Sequence, residues 1–135
     1  MRRKESRRPA DWFRIGDKEI KRADTLFKAG DLEGAGINIQ QSVEKFLKGF
    51  LLSKGWKLKR IHPLDTLLND AVSYEPSLEA FRETCEKITE YYIEERYPFT
   101  VVSELEPEEI ADSLRTARSL IDEIKKLTNL DASPG

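Results

Sequence analysis

Residues 38–62 constrain the fold more than any other stretch of the chain. Stepping about 100° per residue from Ile39, Ile39, Val43, Phe46, Leu47, Phe50 and Leu51 fall on one wide apolar face. That is the pattern of a long helix with one buried side. Gln41, Lys45 and Lys48 line up on the opposite side and are expected to face solvent. Leu52 falls on that polar side against the pattern, in the last turn, where it either folds under the following loop or stays exposed. Ala35, Ser42 and Gly49 form a strip of small residues at the edge of the apolar face. Another helix could approach closely there, and a second copy of the chain is one candidate for it.

The same stretch concentrates charge. Between Lys45 and Arg60 there is no acidic residue, whereas Lys45, Lys48, Lys54, Lys57, Lys59 and Arg60 are all basic. The formal net charge of the whole chain is only -2. A local excess of this kind attracts phosphate, and it also suits a plain solvated helix face and loop.

The remaining elements are read from period and punctuation. Pro9 suits a first helical turn, and a helix is expected from about Pro9 to Ala29 with Trp12, Phe13, Ile20, Ala23, Leu26 and Phe27 as its stripe. Gly30 is placed to end it, and Asp31 to cap the second helix, Leu32–Ser53. The nearby glycines at 30, 34 and 36 do not make a phosphate loop, since no strand precedes them and no Gly-Lys-Ser/Thr follows. A third helix is expected over Pro63–Tyr74, a fourth over Ser77–Glu95 and a fifth over Pro107–Leu127. In the fourth, Leu78, Phe81, Cys85, Ile88 and Tyr92 form a seam at three- and four-residue spacing, and Arg96 is the next step in that series. Pro98 disfavours helical angles at Tyr97. In the fifth, Ile110, Leu114, Ala117, Ile121 and Ile124 form the stripe. No segment alternates as a half-buried strand does, so the predicted fold is all-α, a five-helix up-and-down bundle. Residues 9–128 form its single domain, with a flexible basic tail at 1–8, able also to act as an arm on nucleic acid, and a second tail at 129–135.

A chain of 135 residues suits one domain with a real core. No apolar run is long enough to span a bilayer. The single cysteine, Cys85, cannot form an internal disulfide, which points to a reducing cytoplasm. No secretory signal is recognised. One His and one Cys cannot make a zinc site of the usual kind; the many carboxylates leave a Mg2+ site open, although no metal or cofactor is expected.

Taken together, Gln40-Gln41-Ser42-Val43-Glu44-Lys45-Phe46-Leu47-Lys48, a Gly-containing loop, and His62-x-Leu64-x-x-Leu67-Leu68 resemble the pattern of HEPN domains, with Arg96-Tyr97-Pro98 matching the end of their fourth helix. The resemblance covers roughly Trp12 to Leu127. It implies a HEPN-like bundle that commonly forms a homodimer and binds a nucleotide or RNA. It also implies association with a minimal nucleotidyltransferase protein, often in a toxin–antitoxin-like pair. One branch of the family comprises metal-independent RNA endonucleases, which need a His after the Arg with four to six residues between. Here those positions are Val101, Val102 and Ser103. The chain is therefore expected to be a binding module rather than an enzyme.

The candidate phosphate-binding residues are Lys45, Lys48, Arg96, Tyr97 and Glu44. The Arg96 fork can hold a phosphate bidentately, and it can equally close an internal ion pair. Tyr97 can stack on a base or pack as a half-buried ring. Glu44 can orient Arg96 or pair with Lys48 four residues on, and Gln40 lies nearer a helix interface than Gln41. If the chain were a ribonuclease with a non-standard site, Arg96 and His62 would be its catalytic pair, His62 serving as proton acceptor. His62 equally suits a helix cap or a packed position. A third possibility is a dimeric interaction module with no ligand.

Overall fold

The computed structural model describes residues 5–57, 63–96 and 105–128, with residues 91–96 described as backbone only. Five α-helices pack around one core: α1 (Pro9–Lys28), α2 (Leu32–Ser53), α3 (Leu64–Tyr74), α4 (Arg82–Arg96) and α5 (Pro107–Thr128). Residues 129–135 and 1–4 of the expected tails, His62 and Tyr97 lie outside the described residues.

α2 is the axis of the bundle, since each of the other four helices packs against it. The six apolar residues assigned to its buried face are all completely covered. Its limits are set locally. The Asp31 carboxylate accepts a hydrogen bond from the Gly34 N–H at 2.8 Å, satisfying one of the donors a helix start leaves free. A Cβ at Gly34 would lie 2.4 Å from an Asp31 oxygen, so the missing side chain makes room for the cap. At the other end Gly55 takes φ 84°. The N–H groups of Gly55 and Trp56 then donate back to Leu52 and Leu51, a Schellman closure that uses up the last carbonyls. α1 ends the same way at Gly30.

The face of α2 expected to be solvated is not. α1 lies along it, so Lys48 is buried and Lys45 and Leu52 are half-buried. The small strip is also covered from within the chain. The Ser42 hydroxyl donates to the Gly16 carbonyl of α1 at 2.7 Å, Gly49 faces the Phe13 ring, and Ala35 is fully buried. The strip is therefore a seat for α1 and not a surface left for a second copy. The fit is reciprocal: Gly16 of α1 faces Phe46 of α2, as Gly49 of α2 faces Phe13 of α1. The two rings stack with centroids 5.3 Å apart.

Three boundaries differ from the sequence reading. Ser6 ties the end of the expected basic tail to α1: its hydroxyl donates to Asp11 at 2.7 Å and its carbonyl accepts from the Trp12 indole at 2.8 Å. α3 starts at Leu64, with Pro63 at the N-cap instead of the first helical position. The segment Pro76–Phe81 is a 3-10 turn, and α-geometry begins only at Arg82. The tighter winding drops Leu78 into the core, and short 3-10 pieces are common where a helix is entered after a turn. Among the described residues no strand is present, and no helix is long and apolar enough to cross a membrane.

Candidate functional site

The seam between α1 and α2 holds a ladder of charged and polar side chains. Gln40, Glu44 and Lys48 occupy successive turns of α2. The Gln40 amide donates to one Glu44 oxygen at 3.3 Å, and the Lys48 ammonium donates to the other at 2.9 Å. The same ammonium stands 5.3 Å from the centre of the Trp12 ring of α1, where the ring's negative face attracts a cation. Lys45, on the flank nearer the middle of α1, donates to both oxygens of Glu19 at 3.2 and 3.4 Å.

Both lysines thus have an acidic partner within the fold. Only 7% of the Lys48 side chain and 8% of the Glu19 side chain reach solvent, so neither charge could remain there alone at small cost. Burial pushes the Glu19 carboxyl above the ordinary carboxylate range, Lys45 pulls it back, and the Glu44 charge adds to the rise. Two acids and two bases balance locally. A phosphate reaching Lys45 or Lys48 would have to displace a carboxylate already in place.

Of the sequence-predicted site residues, the structure brings together Glu44, Lys45 and Lys48. Arg96 is the last residue of α4, two steps of the seam beyond Ile88, which is buried like Leu78 and Cys85. Its side chain, like His62 and Tyr97, lies outside the described residues. The basic segment that follows α2 is anchored where it begins, by the Trp56 indole donating to Asp70 of α3 at 3.2 Å. Lys54 stands 5.6 Å from the Phe50 ring centre.

Glu19 was not singled out from sequence, and Trp12 was read only as part of the α1 apolar stripe. A signal was present: Trp12, Gly16, Glu19 and Ala23 share one helical face, so Glu19 sits in an otherwise uncharged stripe. An acid in such a place needs a cation from the facing helix. Cys85 is buried, and burial pushes its thiol up to about 12, so it is not a nucleophile at neutral pH. Among the described residues no three His, Cys, Asp or Glu side chains gather as a metal site.

Comparison with known proteins agrees with this architecture. The HEPN domain model matches residues 9–127, and the chain belongs to the HEPN domain family. Its fold is similar to that of TT1696 from Thermus thermophilus, at 24% identity over 90% of this chain and 98% of that one, with a TM-score of 0.79. It is also similar to ST0689, an archaeal HEPN homologue, at 21% identity over 90% of this chain and 98% of that one, with a TM-score of 0.72. No curated protein matches the chain.

Proposed function

We propose that this HEPN protein is a nucleotide- or RNA-binding module that works with a minimal nucleotidyltransferase partner, in the manner of a toxin–antitoxin pair in the cytoplasm. The observation that carries the reading is the family match across residues 9–127, with Arg96, the first residue of the sequence Arg96-Tyr97-Pro98, as the last residue of α4. In this reading the Arg96 guanidinium holds a phosphate through paired N–H donors, and Tyr97 stacks on the base. The basic segment after α2, from Lys54 to Arg60, adds positive potential. Lys45, Lys48 and Glu44 have a supporting part: they fasten α1 to α2 and hold the frame on which the binding groups sit. The module is a homodimer whose contact lies outside the Ala35, Ser42 and Gly49 strip, because α1 occupies it.

The test is a titration of the full chain with a fluorescent ATP analogue and with a short RNA, wild type beside Arg96→Ala. Saturable binding to at least one ligand, weakened roughly tenfold or more by the substitution, is the expected result. A charge-assisted hydrogen-bond pair of about 1.5–3 kcal/mol sets that scale. Absence of saturable binding in the wild type overturns the reading.

A further inference from the structure

α1 carries four acids, and every one is engaged. Asp11 accepts from Ser6 and faces Arg14, Asp17 holds Lys125, Glu19 holds Lys45, and Asp24 holds Lys28 and Arg118. Three of the four acids, Asp17, Glu19 and Asp24, reach a partner on α2 or α5. The helix thereby turns its negative charge towards its neighbours and leaves cations outside. Lys18 and Lys21 are exposed and make no ion pair among the described residues.

These cations line a groove. Arg14, Lys18 and Lys21 of α1 and Lys125 of α5 border a cleft of about 440 Å3. A second cavity of about 410 Å3 continues from it past Ala10 and Phe13 to Arg7 and Arg8. Among the described residues, six cations and a single carboxylate, Asp17, line the two together. The carbonyl ends of α2 and α5, at Ser53 and Thr128, reach the Arg7 and Arg8 end. Those arginines are therefore partly offset by the helix dipoles, and the stretch around Lys18 and Lys21 is the more strongly positive. Arg14 holds Asp11 only at 3.6 Å with 61% of its side chain exposed, a contact readily exchanged for another anion.

We propose that the α1–α5 groove seats the backbone of a single-stranded phosphodiester chain. From Arg8 to Lys21 the cations follow α1 for about 20 Å at the helical rise of 1.5 Å per residue. That linear order fits a row of phosphates better than one compact anion. A strongly positive track in a chain of net charge -2 is the footprint expected of backbone contacts without base reading. The proposal gives no part to Arg96, so this inference and the preceding reading are tested separately.

The test measures the salt dependence of binding by fluorescence anisotropy, with a labelled twelve-residue oligouridylate and its deoxy counterpart. With about four exchangeable cations, wild-type affinity should fall about 50-fold between 50 and 200 mM KCl. Lys18→Ala/Lys21→Ala removes two of them and should reduce that loss to about 7-fold, with helicity unchanged by circular dichroism. Arg96→Ala should leave the salt slope near that of wild type. RNA and DNA binding alike, with that loss of slope, supports a backbone site; RNA alone with the same loss supports it and adds 2′-hydroxyl contacts. An unchanged slope in the double variant overturns the proposal, even where Arg96→Ala abolishes ATP-analogue binding. So does absence of binding at 50 mM KCl. Equal affinity and equal slope for a labelled polyglutamate peptide overturns it in favour of an acidic protein partner.

Discussion

Replacing Gly49 by alanine would put a methyl carbon 2.7 Å from Cε1 of Phe13, and within 3.1 Å of two further ring atoms. Phe13 has little room to retreat. It is 4% exposed, and it stacks on Phe46, whose ring in turn stands close against Gly16 of α1. Displacing one ring therefore disturbs both halves of the α1–α2 contact. Overpacking of this kind costs about 1–3 kcal/mol, whereas removing a mid-helix glycine returns about 0.5–1 kcal/mol. The net expectation is a loss of about 1.5 kcal/mol. With a urea m-value of about 1.5 kcal/mol/M, the unfolding midpoint followed by circular dichroism should fall by about 1 M at unchanged m. Adding Phe13→Leu to the Gly49→Ala variant should cost less than Phe13→Leu costs alone, because the narrower side chain frees the space the methyl needs. A midpoint that rises by the full helix increment in Gly49→Ala would refute the reasoning, since it would mean that no ring stands there.

Two other predictions concern buried titratable groups. The folded-state pKa of Glu19 is raised by burial, so between the ordinary carboxylate value and that raised value the folded protein binds more protons than the unfolded chain. Its stability relative to Glu19→Gln should therefore decline as pH rises from about 4 towards 7. Urea midpoints of both proteins at three pH values check this, and a gap that is flat or widens in favour of wild type would count against it. Cys85, buried with its thiol pushed up to about 12, should react with a disulfide reagent at pH 7 at least about a hundredfold more slowly in the native protein than in guanidinium chloride. Comparable rates in the two conditions would show that the α4 seam is open.

Particular residues show what the sequence could and could not disclose. The apolar face of α2 was legible because six large side chains at helical spacing permit one reading. Lys48 was not, because charge alone predicts solvent. What holds it there is an i,i+4 partner at Glu44 and the Trp12 ring facing its ammonium, and only the docking of α1 brings that ring into place. The strip of small residues announced a close approach without saying who approaches. That identity depends on the short Gly30–Asp31 turn folding α1 back onto α2. The 3-10 turn at Pro76–Phe81 escaped notice because Leu78 and Phe81 are spaced three apart, which suits either kind of helix. The Glu44–Lys48 pair was among the alternatives open from sequence because its contact is local, whereas the Glu19–Lys45 pair spans two helices and became visible only with the tertiary fold.

In the proposed function the α2 ammonium groups serve the fold while the ligand is held elsewhere, and that division is the central claim to test. The direct measurement is ATP-analogue and RNA affinity in the uncharged-seam variant Glu19→Gln/Glu44→Gln/Lys45→Met/Lys48→Met, with folding confirmed by circular dichroism. Removing both members of each pair together avoids leaving a buried charge alone. Affinities within about twofold of wild type are predicted, about 0.4 kcal/mol on the binding scale. A natively folded variant that no longer binds either ligand would contradict the division.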